Sequence, residues 1–319
     1  MQRDAQRSDV VKQTRRQFMA VALALGAGAC RGRPGGRAGY LAWGQPGRHR
    51  AGCFHRPRAV GATAAEVYVI DATGRVQVFT HDGAYCRGWA LPEIANGTPT
   101  AVRETADGRV LIADTHYSRI LEYSPEGELL RQWGSYGTGP EQFVYPTSIV
   151  LAPDGAYYIS EYGMDAERVH VFDAERRFLR EWGGLGEDEG QFSRAMALDV
   201  DAANTVYVCD TTNHRVQCFS PGGQLLRVIG GVGSEPGRIK FPYDICLAPD
   251  GSLVLCEYGN NRISRFDASG QFLGAFGGPG RGPGQFNAPR GAAVAPNGFI
   301  FVADTDNHRI QRFTLEDLV

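Results

Sequence analysis

The chain has 319 residues, including 42 Gly and 17 Pro, with 43% hydrophobic and 21% charged residues. Glycine stands at about twice its usual share with no G-X-Y period, which excludes collagen, and the apolar fraction and the net charge of −2 exclude a disordered chain. The length allows one large all-β domain or two ordinary ones.

The N-terminus reads Thr14-Arg15-Arg16-Gln17-Phe18-Met19 and continues into an apolar stretch that ends Ala27-Gly28-Ala29-Cys30. This stretch is far shorter than the ~20 residues that span a bilayer, and it carries Gly26 and Gly28, so a permanent transmembrane helix is not expected. The segment resembles a twin-arginine export signal, which implies delivery of a folded protein beyond the cytoplasmic membrane, to the periplasm or outside it. Two cleavage outcomes stay open. Ala27-Gly28-Ala29 fits a small-residue peptidase site, and Gly28-Ala29-Cys30 fits the end of a lipobox, in which Cys30 would be acylated and supply the sole membrane attachment. The expected organisation is a signal over 1–29, a linker over 30–37 and one repeat domain over 38–319. Removing residues 1–29 takes away five basic and two acidic residues, so the formal charge falls from −2 to −5. A body of that sign lacks the basic footprint of general nucleic-acid binding.

Beyond the signal the chain repeats itself six times. An acidic residue ends the second apolar run of each copy, at Asp71, Asp114, Glu161, Asp210, Glu257 and Asp304, at intervals of 43 to 49 residues. A basic residue follows each, at Arg75, Arg119, Arg168, Arg215, Arg262 and Arg309. Every copy carries three clear strand signals and a weaker fourth. In copy five they fall at 244–248, 252–256, 262–267 and 271–277, with a Pro249-Asp250-Gly251 turn after the first. Four short antiparallel strands per repeat predict an all-β, six-bladed β-propeller with helices nearly absent. Copy six stops short of its fourth strand. Tyr40-Leu41-Ala42-Trp43-Gly44 matches the fourth-strand pattern Phe178-Leu179-Arg180-Glu181-Trp182-Gly183 with one residue missing, so the N-terminal strand is expected to complete the last blade and close the ring.

Phe286-Asn287-Ala288-Pro289-Arg290-Gly291, Phe301-Val302-Ala303-Asp304 and Asn307-His308-Arg309-Ile310 resemble the NHL repeat. The resemblance runs over residues 38–319 and implies a six-bladed propeller, as the strand count also requires. It says little about activity, because one fold hosts many functions.

The repeated residues read first as structure. Each acid is expected to cap a turn and pair with its arginine, His214 and His308 follow the repeat consensus, and Trp43, Trp89, Trp133 and Trp182 are expected between blades. The seven cysteines include no C-x-x-C pair, which gives neither a zinc ribbon nor a thioredoxin motif. Cys209 and Cys256 read as small buried residues, and their spacing supplies no disulfide geometry. One connector departs from the pattern: Trp89 to Pro99 is shorter than its counterparts and lacks their Gly-x-Phe element. Another carries an acidic run, Glu187-Asp188-Glu189.

Function is sought where the copies disagree. After the proline that opens the first strand the ring reads Arg58, Thr100, Thr147, Met196, Tyr243 and Arg290, followed by Ala59, Ala101, Ser148, Ala197, Asp244 and Gly291. Arg58, Tyr243, Asp244 and Arg290 are therefore the candidate ligand-binding arc at the channel mouth, suited to an anionic or carbonyl-bearing ligand. No G-x-S-x-G, H-E-x-x-H or G-x-x-x-x-G-K motif is present, so no catalytic residue is assigned and the leading expectation is an exported, non-enzymatic module that binds a protein, peptide or envelope ligand. The alternative is a metal-dependent enzyme. Peptidyl-hydroxyglycine amidating lyases use zinc-bound histidines with a tyrosine and an arginine, but none of the seven histidines lies on the first-strand ring. Lactone hydrolases hold a divalent metal with Glu, Asn and Asp, of which only Asp244 is available there, so no cofactor or metal site is expected.

Overall fold

Residues 39–164 and 166–318 are described by the computed structural model. The signal at 1–29, Cys30 and the rest of the linker at 30–37 lie outside them, as does residue 38. Alternating apolar residues with β-branched enrichment fold into strands, and Gly- or Asn-bearing turns separate them. Blade one comprises Pro57–Ala62, Glu66–Asp71, Arg75–Thr80 and Tyr85–Ala90. Blade two comprises Ala101–Glu104, Val110–Asp114, Arg119–Tyr123 and Leu129–Trp133, and blade three Tyr145–Leu151, Tyr157–Tyr162, Arg168–Phe172 and Phe178–Gly183. Blade four follows with Ala195–Val200, Val206–Asp210, Arg215–Phe219 and Leu225–Gly230, and blade five with Pro242–Leu247, Leu253–Glu257, Arg262–Phe266 and Phe272–Gly277. Among the described residues helix is confined to 3-10 turns of three residues.

Blade six takes Gly291–Val294, Phe299–Asp304 and Arg309–Thr314 from the C-terminal end and Leu41–Trp43 from the N-terminal end. The closing strand pairs antiparallel, with Leu41 opposite Arg312 and Trp43 opposite Ile310. Trp43 is buried between Phe301 of its own blade and Phe79 of blade one, with ring centroids 6.0 and 6.1 Å away. The other three tryptophans likewise reach the neighbouring blade, Trp89 to Tyr123, Trp133 to Phe143 and Trp182 to Phe219. The six described cysteines are unpaired, and Cys209 and Cys256 are buried as apolar side chains.

The acid that ends each second strand is fully buried and bound by its arginine at 2.6 to 2.8 Å in all six blades. A charge taken out of water is tolerated only when its lone pairs are filled. The connector into the same blade fills the rest: Asp71, Glu161, Asp210, Glu257 and Asp304 accept the backbone N–H groups of His55, Val144, Ser193, Lys240 and Asn287. The Asn-His-Arg signature thus has a division of labour. Asn307 donates to Asp304 and to the connector carbonyl of Gly280, His308 Nδ1 accepts the N–H of Arg56 in the next blade, and Arg309 donates to Asp304. His214 and Asn261 make the same reach forward, to Phe241 and Ala288. The connectors themselves explain much of the glycine. A Cβ at Gly277, where φ is +103°, would strike the Phe286 ring that plugs the seam between blades five and six.

Blade two lacks that connector and shows the consequence. Asp114 Oδ1 is buried without a partner; burial raises its carboxyl above the ordinary pKa despite Arg119, as it does at Asp210 and Asp304, so the orphaned oxygen is what sets blade two apart. On the opposite face of the disc, burial first and the nearby Glu66 second push Glu104 up to about 7. A raised carboxyl favours the folded state fully below its unfolded pKa of about 4.3 and loses that contribution as pH climbs through the folded value. Glu104→Gln should therefore flatten the fall in melting temperature between about pH 4.5 and 7.5, which differential scanning fluorimetry across pH would read; an unchanged slope would remove Glu104 as its source. Deletion of residues 39–44 should abolish the single cooperative unfolding transition, because it exposes the outer edge of Arg309–Thr314 and empties the seam filled by Trp43. Melting identical to wild type would rule out closure by this strand.

Candidate functional site: the channel mouth

The first strand of each blade lines the axis, and a register shift at its start sets which residue does so. Pro57 and Ala59, Pro146 and Ser148, Ala195 and Ala197, and Pro242 and Asp244 each bracket a β-bulge. The bracketed residue is looped out at the rim, and the next faces the channel. By strand alternation one side of the first strands carries two layers, one from Ala59, Ala101, Ser148, Ala197, Asp244 and Gly291, and the other two residues further on, from Gly61, Arg103, Val150, Asp199, Cys246 and Ala293.

This bulge divides the expected arc. Arg58, Tyr243 and Arg290 do come together at the rim. The Arg290 guanidinium lies over the rings of Tyr243 and Tyr258, 5.2 and 5.3 Å from their centroids, and those two rings pack 4.9 Å apart. Burial and then the adjacent Arg290 charge lower the Arg58 pKa. Neither Arg58 nor Arg290 has an ion-pair partner among the described residues, in contrast to Arg56, which binds Asp306 at 2.9 Å. The Nε atoms of Arg58 and Arg290 are both buried with no acceptor, and the Arg58 fork makes only a long contact, 3.4 Å to Thr98 Oγ1. His116 completes this side of the rim. Burial and the Arg58 charge lower its pKa, which leaves a neutral imidazole beside the guanidinium.

Asp244 does not join them. It faces inward in the next layer and is saturated there, accepting from Arg103 at 2.9 Å, from the N–H of Ala292 in blade six at 3.0 Å and from the N–H of Ile245 at 2.9 Å. Arg103 belongs to blade two, diametrically opposite blade five, so this ion pair crosses the axis. Asp199 of blade four accepts the N–H of Leu247 at 2.8 Å and adds a second negative charge near Arg103. Burial raises both aspartates and the thiols of Cys209, Cys246 and Cys256 around them, while the two carboxylates outweigh burial at Arg103 and raise its pKa. Below the rim the axis is therefore crossed by an ion pair, which forms a charged floor to the mouth. Strand alternation could have found Arg103 and Asp199, since they break the pattern of the second layer as Asp244 breaks the first.

The rim has a second set of irregularities, at the residue after each acid. Thr115, Thr211 and Thr305 occupy it in blades two, four and six. Thr211 and Thr305 bond the carbonyl of the proline opening the next blade, Pro242 and Pro57, at 2.6 and 2.7 Å, and Thr115 contacts Thr100 at 2.8 Å. Blades three and five place Tyr162 and Tyr258 there. The acidic run Glu187-Asp188-Glu189 is exposed on its connector. Among the described residues no group of three His, Cys, Asp or Glu side chains is placed to hold a metal ion.

Comparison with known proteins agrees with this architecture. The NHL repeat model matches residues 192–219 and 286–313, so the chain carries NHL repeats in a six-bladed propeller. No curated protein matches it in sequence. Among solved structures, a streptogramin B lyase superposes with a TM-score of 0.59 at 11% identity, over 86% of this chain and 97% of that one. A virginiamycin B lyase from Staphylococcus aureus gives 0.56 at 15%, over 82% and 95%. The WD40 propeller domain of Doa1 gives 0.59 at 14%, over 88% and 98%. At these identities the likeness concerns the fold alone.

Removing Arg103 should leave Asp199 and Asp244 facing each other in a dry channel. Arg103→Ala is expected to cost about 3–5 kcal/mol at neutral pH, the usual penalty for stranding a buried charge. The raised carboxyls favour the fold in acid and lose that effect as pH rises through their folded values, so the deficit should shrink toward about pH 4 and in the Arg103→Ala/Asp244→Asn double variant. Chemical denaturation at two pH values measures both, and a deficit independent of pH and of Asp244 would show that the ion pair is not its cause.

Proposed function

We propose that this chain is an exported, non-enzymatic binding module whose channel mouth holds a carboxylate-bearing ligand of the cell envelope, with Arg58 and Arg290 as its anion contacts and Tyr243 and Tyr258 as their aromatic support. The observation that carries this reading is the pair of neighbouring guanidiniums with buried, unpartnered Nε atoms and no counter-ion. Two like charges held together in a half-buried cup cost stability, and a carboxylate relieves that cost with charge-assisted bonds of the strongest kind. The floor formed by Arg103 and Asp244 supports the same reading, because it lets a ligand end enter the cup but not pass through. Export rests on Thr14-Arg15-Arg16-Gln17-Phe18-Met19, and Cys30 is the residue that would carry a lipid anchor.

Binding of fluorescein-labelled triglutamate, followed by anisotropy at low salt, tests this reading. The Arg58→Gln/Arg290→Gln variant should bind about 10- to 100-fold more weakly, as expected for loss of hydrogen bonds between charged groups. Its melting temperature should hold or rise, since like-charge repulsion is relieved. Equal affinity for both proteins would sink the assignment.

A catalytic use of the same cup is the second reading, and His116 favours it: a neutral imidazole beside Arg58 is placed as a proton acceptor, and lyases share the fold. Metal analysis of the purified protein separates the two, with stoichiometric zinc supporting a lyase of the amidating type and its absence supporting the binding module.

A further inference from the structure

We propose that the rim carries a second anchoring platform, formed by Tyr145, Tyr162 and Arg194 on blades three and four, and that the occupant of the mouth is an extended acidic peptide segment of a protein partner reaching from Arg58 and Arg290 to Arg194. This rests on the anion-binding reading of the mouth and names the ligand class.

The second platform repeats the design of the first. Tyr162 and Tyr258 hold the same place in their repeats, directly after the buried acid, and each stacks on a tyrosine beside the proline that opens its own blade. Tyr145 and Tyr162 lie 5.3 Å apart at 34°, and Tyr243 and Tyr258 lie 4.9 Å apart at 35°. In each case an arginine from the following blade covers the rings, Arg194 at 4.8 Å from Tyr162 and Arg290 at 5.3 Å from Tyr258. Neither arginine has a carboxylate partner among the described residues. The two come from different repeat positions, so the repeat consensus does not account for the likeness.

Both platforms also give up something structural. A threonine at this position bonds the next blade at Thr211 and Thr305, and a tyrosine cannot make that contact while its ring projects to the rim. Arg194 takes the left-handed conformation, φ +60°, that Arg56, Phe241 and Ala288 take at the same repeat position, and the Glu167 carboxylate accepts the N–H groups of Arg194 and Ala195 at 2.8 and 3.2 Å where the other seams use His308, His214 and Asn261. Glu167 comes from a loop between second and third strands that is longer in blade three than in any other blade.

The chemistry of the two platforms selects a peptide. Tyrosine supplies broad amphipathic contact at low entropic cost, and tyrosine and arginine dominate the energetic centres of protein interfaces. Arginines at both ends call for carboxylates at both ends. Platforms two blades apart require an occupant longer than the cup, and once one end is bound the other binds at raised effective concentration.

The test compares labelled triglutamate with labelled oligoglutamate of about twelve residues, roughly 40 Å when extended, on the full chain. Wild type should bind the longer peptide at least about tenfold more tightly. Arg194→Ala, and separately Tyr162→Thr, which restores the threonine of the other blades, should remove that advantage and leave triglutamate binding unchanged. Arg58→Gln/Arg290→Gln should weaken both peptides. Equal affinity for the two lengths, or an advantage that survives both variants, overturns the second platform and leaves the mouth reading standing. Insensitivity of both peptides to Arg58 and Arg290 overturns the mouth reading itself. Binding of oligogalacturonate with the same dependence on Arg194, and none of the peptide, overturns the peptide assignment in favour of an acidic glycan. Circular dichroism and melting of each variant establish that it is folded.

Discussion

The buried carboxylate at the end of each second strand is the constraint from which the rest of the ring follows. It stands where a strand must turn, in a place sealed from water, so it has to find donors. It takes them from its own blade through the arginine and from the incoming connector through a backbone N–H. Those two bonds set the height at which the connector hands over to the next first strand. The bulge after the proline then decides which side chain faces the rim and which faces the axis. Where the connector is short, in blade two, the carboxylate is left with an empty lone pair and no comparable anchor. The regular bonds make the ring, and the irregular residues between them are free to specialise.

That freedom is used in two layers. Near the rim, threonines that would bind blade to blade are replaced by tyrosines in blades three and five, and unpaired arginines settle over them. One layer down, small residues leave room for a single arginine to cross the axis. Arg103 is long enough to reach Asp244 from the opposite blade because Ala59, Ala101, Ala197 and Gly291 place nothing in its way. The floor and the cup are therefore linked. A bulky channel lining would have filled the axis without charge, whereas this one closes it with an ion pair whose carboxylate also holds the N–H of Ala292, two residues from Arg290.

Much of this was legible in the residues. The period of the acids gives the blade count, the truncated last copy points to closure by Leu41–Trp43, and the shortened stretch from Trp89 to Pro99 marks the blade that differs. The rim was legible only in part. Arg58, Tyr243 and Arg290 follow from reading one position around the ring, but Asp244 is adjacent to Tyr243 in sequence, and strand alternation and the bulge send the two to different layers. Arg103 and Asp199 required counting two residues further on each first strand. Tyr258, Tyr162 and Arg194 belong to neighbouring segments of the repeat, and only the packing of successive blades brings them beside the first-strand residues.

The distribution of charge completes the argument for a site. Without its first 29 residues the chain carries a formal charge of −5, yet Arg58, Arg194 and Arg290 on this rim have no ion-pair partner among the described residues. Many other arginines of the ring meet carboxylates, as Arg56 meets Asp306 and Arg87 meets Glu66, while Arg180 and Arg227 bond a carbonyl and a phenol oxygen instead. Arg58 and Arg290 sit near enough to depress one pKa and still have no acid between them. The fold supplies counter-ions to six buried acids and to its own channel floor, whereas Arg58 and Arg290 have none among the described residues, and it is on this contrast that the proposed anion contact rests.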